Sequence, residues 1–266
     1  MGKRVAIVQS CYLPWKGYFD LIRLVDEFIL YDDVQYTSRD WRNRNQVKSP
    51  TGRIWLTVPV HVERAHEQLI QEVQVSDQAW RRKHWKTLVH CYARAPHFRA
   101  YADRIEALLL EGDEIYLSRI NHHLLGGICG LLGIGTRLRW STDSRGEGSK
   151  TERLVSLCRQ AGATTYLSGP SAQAYIDVAQ FAAAGIALEY MDYEGYPEYE
   201  QLYPPFEHHV SFVDLLFHTG GDARRCMKAL RVGPTSALGS IGGEIRGVDS
   251  VASRWRRPEA PSKAAM

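Results

Sequence analysis

The sequence predicts an α/β fold built on an open, mostly parallel sheet, with a helical insertion between two α/β halves. Three observations carry that expectation. The chain begins with an apolar run, a turn, a buried helical pattern and a second apolar run; three consecutive helical patterns then interrupt; alternation of strand and helix resumes after Gly133.

Taken in order, Val5-Ala6-Ile7-Val8 is continuously apolar, as a strand buried on both faces must be. A turn with Pro14 and Gly17 follows. From 18 to 25 every residue except Asp20 and Arg23 is apolar, and these two continue with Asp26 and Glu27 as one narrow polar stripe, so the helix is mostly buried. Phe28-Ile29-Leu30-Tyr31 is the next strand. A strand–helix–strand unit crosses over right-handed, which makes the pair parallel and the fold Rossmann-like. Residues 54–62 and 69–75 read as further strands. Asp77 caps a helix with Trp80, His84, Leu88 and Cys91 on one face, and helices over 98–110 and 118–132 follow, the last stopped by Gly133. Leu138 and Trp140 mark a strand. Ser149-Lys150-Thr151-Glu152 is a capping box that opens a helix ending at Gly162. A strand at 164–167 runs into Ser168-Gly169-Pro170-Ser171 as a helix start, 186–191 is another strand, 195–206 is a tyrosine- and proline-rich loop, and Ser211 caps a short apolar helix.

This divides the chain into a first α/β half (1–76), a helical insertion (77–133), a second half of the same domain (134–231) and a tail (232–266). The tail is rich in Gly, Ser, Pro and Arg without a core pattern and is expected to be disordered.

With 266 residues, 44% hydrophobic and 24% charged, the chain can bury a sizeable core. The net charge of +3 weighs against a generic nucleic-acid binder, and basic residues cluster only locally, as in Arg81-Arg82-Lys83. Five scattered cysteines, with no C-x-x-C pair, form neither a disulfide framework nor a zinc ribbon. No segment approaches the roughly 20 apolar residues of a membrane span, and no signal-peptide pattern is present, so a cytoplasmic location without membrane insertion is expected.

Ligands of open parallel sheets sit at the carboxyl ends of strands, and three polar segments fall there. The first, 9–18, offers Gln9, Tyr12, Lys16, Gly17 and Tyr18; helix-start N–H groups and the Lys16 ammonium suit a phosphate or carboxylate. The second is Asp32-Asp33-Val34-Gln35-Tyr36. Adjacent carboxylates on a strand point to opposite faces, so Asp33 is expected to act as a general base or to hold Mg²⁺ with a nucleotide, with Asp32, Gln35 and Tyr36 contacting ligand. Next to it, Trp41, Arg42, Asn43 and Arg44 combine a stacking surface with bidentate anion recognition. The third is Ser168-Gly169, with Lys150 at the preceding helix start. His84 faces inward on its helix and is either a satisfied core histidine or a second catalytic group. The pairs His122-His123 and His208-His209 lack metal-ligand spacing, and no metal is assigned to them.

Together these segments resemble the WbqC-like family of bacterial proteins. The resemblance is carried by Val5-Ala6-Ile7-Val8-Gln9, Leu13-Pro14-Trp15-Lys16-Gly17-Tyr18-Phe19-Asp20, Tyr31-Asp32-Asp33-Val34-Gln35-Tyr36 and Trp41-Arg42-Asn43-Arg44-Asn45. It continues in Trp80-Arg81-Arg82-Lys83-His84-Trp85, Lys150-Thr151-Glu152-Arg153-Leu154, Tyr166-Leu167-Ser168-Gly169-Pro170 and Gln201-Leu202-Tyr203-Pro204, over roughly residues 3–221. Members look like parts of surface-polysaccharide or O-antigen gene clusters, which implies work on glycan or sugar-nucleotide precursors. A more distant likeness is to nucleotidylyltransferases of the pantothenate-synthetase kind, which share the strand, an H-x-G-H turn, a buried helix and a strand. Here the tetrapeptide is Trp15-Lys16-Gly17-Tyr18: the glycine is kept and both triphosphate-stabilising histidines are absent.

The function expected is a transferase passing an acyl, aminoacyl or glycosyl group from an anionic donor to a sugar acceptor. The alternatives are an ATP-dependent ligase or adenylyltransferase-like enzyme, and a non-catalytic nucleotide- or glycan-binding protein. Charged tRNA as a donor is suggested only by the local basic clusters.

Overall fold

The computed structural model describes residues 2–63, 67–144 and 146–228. The predicted disordered tail, 232–266, lies outside the described residues. The expected α/β architecture is present. Five strands, β1 (Arg4–Val8), β2 (Glu27–Leu30), β7 (Arg137–Trp140), β8 (Thr165–Ser168) and β9 (Ala187–Tyr190), form one sheet in the order β7-β2-β1-β8-β9. Every neighbouring pair in it is parallel.

Alternation along the central strands builds two cores. Ala6, Phe28, Leu30 and Leu167 point to one face, covered by α1 (Lys16–Arg23), α2 (Trp80–Tyr92), α3 (Phe98–Leu110), α4 (Leu117–Leu132) and α7 (Phe212–Thr219). Val5, Ile7, Ile29 and Tyr166 point to the other, covered by α5 (Lys150–Gln160) and α6 (Val178–Ala183). The continuously apolar first strand is thus explained: Val5 and Ala6 are both fully buried, on opposite faces. Truncating a core side chain such as Phe28 would cost roughly 3–5 kcal/mol.

Most departures from expectation lie between β2 and β7, and one follows β8. An antiparallel hairpin, β3 (Arg44–Ser49) with β4 (Gly52–Thr57), stands where the sequence suggested a basic loop followed by a strand. The predicted strand over 54–62 breaks after Thr57, and Pro59, which has no N–H to give a ladder, separates it from the two-residue β5 (Val60–His61). The predicted strand over 69–75 is a 3₁₀ turn at Ile70–Glu72 plus β6 (Gln74–Val75), which pairs with β5. After β8 the chain makes a 3₁₀ turn at Pro170–Ala174 rather than the expected helix start; the helix proper begins later, where the Asp177 carboxylate accepts the Ala179 N–H at 3.0 Å. Helices α2 to α4 stand as expected, with Gly133 left-handed at the end of α4 (φ 61°).

Candidate functional site at the carboxyl ends of two central strands

The chain leaves β1 through α1 on one face of the sheet and leaves β8 through α6 on the other. The connections therefore diverge at the carboxyl ends of these two adjacent strands, the point where open α/β sheets bind ligands. A cleft of about 930 Å³ opens there. Among the predicted contacts, Gln9, Tyr18, Trp41, Arg42, Lys150, Ser168 and Gly169 line it.

The turn after β1 is held in a costly conformation. Leu13 has φ 40°, a left-handed value that a branched side chain adopts only when its surroundings impose it. The clamp comes from β3 and the residues before it. Asn45 Nδ2 donates to the Leu13 and Tyr12 carbonyls at 2.9 and 3.2 Å, and the Tyr12 N–H donates to the Trp41 carbonyl at 3.0 Å. Gly17 then lets Trp15 fold back on α1, because a Cβ at that position would sit 2.3 Å from the indole. Trp15 packs against Tyr193 and His209, each with ring centroids 5.1 Å away, and forms one wall of the cleft.

Arg42 is the charged group of this site. The residue is only 7% exposed, yet among the described residues its side chain makes one hydrogen bond, from Nη1 to Gln9 Oε1 at 2.9 Å. Nε is buried with no hydrogen-bond partner, and the nearest carboxylate oxygen, of Asp40, is 3.9 Å from it. A buried guanidinium this sparsely bonded favours an anion beside it. Lys150, at the start of α5, supplies a second, exposed cation, with Ser168, Gly169 and Ser171 on the β8 side. Cys11 also lines the cleft, but burial pushes its thiol up to about 11, which keeps it protonated and a poor nucleophile.

The other predicted residues sit elsewhere. Tyr12 is fully buried, and its hydroxyl is 2.7 Å from His84 Nδ1. His84 packs between Tyr12 and Trp80, and burial lowers it to about 4, so it is neutral at physiological pH. Lys16 is caged by the rings of Tyr196, Tyr199 and Phe206 at 5.0, 5.2 and 5.6 Å and donates to the Pro197 carbonyl at 3.2 Å. Its role is to pin the loop after β9; burial lowers it to about 8.

Asp32 is buried under α4, accepting the Ser10 N–H at 2.8 Å and the Ser118 hydroxyl. Asp33 accepts the Ser141 hydroxyl at 2.5 Å and pairs with Arg153. Both of its oxygens are engaged by these partners, and it is not among the residues that line the cleft. Gln35 makes an isolated bridge to Leu69, and Tyr36 is buried, its N–H donating to the Gln68 carbonyl at 2.8 Å. Asn43 bonds the Val58 carbonyl at 2.9 Å, and Arg44 stacks 4.2 Å over Trp55.

Several lining residues lay outside the predicted set: Trp15, Tyr31, Tyr175, Tyr193 and His209. The aromatic density of the loop beyond β9 was the available signal for Tyr193 and His209. Trp15 and Tyr18, at the two ends of the Trp15-Lys16-Gly17-Tyr18 turn, both give aromatic surface to the cleft. Among the described residues no three His, Cys, Asp or Glu side chains are grouped to hold a metal, and no helix is long and apolar enough to cross a membrane.

The fold and cleft define an open parallel α/β protein with a ligand-sized site where its connections diverge. Residues 9–226 match the WbqC-like protein family, and the chain belongs to that family. It is 50% identical over 221 residues to the uncharacterized protein Rv1507c of Mycobacterium tuberculosis, a match covering 83% of this chain and 96% of that protein. No solved structure matches it.

Proposed function

We propose that the protein is a transferase acting on glycan precursors, binding a phosphate- or nucleotide-bearing donor in the cleft and passing an acyl, aminoacyl or glycosyl group to a sugar. The observation that carries this reading is Arg42, a buried guanidinium with an unbonded Nε on the wall of a cleft at the divergence point. The aromatic walls suit sugar and base rings, and the family resemblance to surface-polysaccharide proteins supplies the glycan context.

A non-catalytic, ligand-binding variant of the same reading is favoured by one specific observation. The two expected catalytic groups are both tied up, Asp33 by Arg153 and His84 by Tyr12. A thermal-shift panel with ATP–Mg²⁺, CTP, nucleotide sugars and acyl-CoA tests the shared part. Stabilisation by at least one anionic ligand is expected; no response to any of them would remove the proposal. Turnover of the stabilising ligand with a sugar acceptor then separates enzyme from binding protein.

A further inference from the structure

The cleft does not belong to one face of the sheet. Cys11, Tyr18 and Leu21 come from the core under α1, whereas Ile7, Leu154 and Tyr166 come from the core under α5 and α6. The cavity therefore passes over the ends of β1 and β8 and opens onto both sides. Each arm has its own aromatic walls and its own cation. Of the lining residues, Trp15 and Tyr193 pack on the first core, and we group Arg42 and Trp41 with them; Tyr31 packs on the second, and we group with it Lys150, which opens α5, and Tyr175, which follows β8. Tyr175 lines the cleft while 70% exposed, so its ring is open to a ligand there.

We infer that the cleft takes a nucleoside diphosphate-linked sugar, lying across the sheet edge with one ring system in each arm. This rests on the function proposed above and deepens it by naming the substrate class. The diphosphate spans the crest between the arms, where the two cations approach it from opposite faces. The nucleoside lies in the second arm, its flat base against Tyr31 and Tyr175 and its ribose hydroxyls near Ser168 and the Gly169 backbone. The sugar and its phosphate lie in the first arm beside Arg42, with the His209 imidazole at the rim. About 930 Å³ lies at the upper end of the range for small-molecule sites, which suits a two-ring ligand rather than a lone phosphosugar.

Titration calorimetry on the full chain tests this with ADP-, GDP-, UDP-, CDP- and dTDP-glucose, each compared with its nucleoside diphosphate and with glucose 1-phosphate. At least one conjugate is expected to bind at least tenfold tighter than either of its halves, because linking two occupied subsites raises affinity. Tyr175→Ala should weaken the nucleoside diphosphate by at least threefold and leave glucose 1-phosphate unchanged; Tyr193→Ala should do the converse. Both side chains are partly exposed, and variants that melt with the wild type isolate binding from folding. Conjugates that bind no tighter than their halves, or tyrosine variants that affect both halves alike, overturn the two-armed assignment while leaving an anion site in place. Binding of acyl-CoA alone overturns it in the same way. Failure of all these anions to bind removes the proposed function along with it.

Discussion

The ends of β1 and β2 lie side by side in one sheet, and both carry polar residues that look functional, yet they have opposite fates. Beyond β1, Gln9 and Tyr18 face an open cleft, which Arg42 reaches from the segment before β3. Beyond β2, the backbone is closed by the 3₁₀ turn at Ile70–Glu72: Gln71 N–H donates to the Asp32 carbonyl at 2.9 Å and Ile70 N–H to the Val34 carbonyl at 3.0 Å, while both carboxylates are taken by serines, a backbone N–H and an arginine. The difference is topological. β1 and its neighbour β8 send their connections to opposite faces and leave a gap; the end of β2 is covered by the segment that must return to β7. Residue chemistry alone does not make a site; divergence of the flanking connections does.

The largest effect that sharpens this contrast is expected at Asp32. Replacing it by Ala strands the Ser10 N–H and the Ser118 hydroxyl in the interior and should lower stability by roughly 3–5 kcal/mol in urea titration. A near-neutral result would break the picture of a closed, structural strand end.

His84 gives the next effect. Its ordinary value near 6.5 falls to about 4 on burial, so the unfolded chain binds the extra proton first as pH drops. Stability is therefore full above about 6.5 and declines as pH falls towards 4, by about 3 kcal/mol for this group. His84→Gln, followed by chemical denaturation across that range, should flatten the slope; an unchanged slope would place the acid sensitivity elsewhere.

A smaller effect is expected at Asn45, which stabilises the open end instead of the closed one. Asn45→Ala removes both bonds to the turn that holds Leu13 left-handed and should cost about 2 kcal/mol. It should also weaken ligand binding several-fold, because that turn carries Gln9 and Trp15 into the cleft. Loss of stability without loss of binding would show that the turn is not what shapes the wall.

Much of this contrast was hidden in the sequence for identifiable reasons. The first strand–helix–strand unit, the three insertion helices and the stop at Gly133 were legible because apolar period and punctuation are local. The hairpin was not: Val47 is the lone apolar residue of β3, and the buried Asn45 and Lys48 are satisfied by Tyr12, Leu13, Gln201 and Tyr92, none of them near in sequence. The fate of the aspartates was equally remote, since the side chains that bind them from Ser118, Ser141 and Arg153 lie 86, 108 and 120 residues away. At the candidate site, strand-end position pointed to Gln9, Arg42, Ser168 and Gly169, which line the cleft, while Tyr193 and His209 sat in a loop whose path depends on the Lys16 cage.

The most direct measurement compares Arg42→Met with Asp33→Asn by calorimetric binding of the anionic ligand that stabilises the wild type. Loss of one charge-assisted contact at Arg42 should weaken binding by about 2 kcal/mol, roughly 30-fold. Asp33→Asn should leave the affinity within a factor of about two, since its carboxylate serves Arg153 and Ser141. The reverse pattern, with Asp33 essential and Arg42 dispensable, would contradict the assignment of the site to the end of β1.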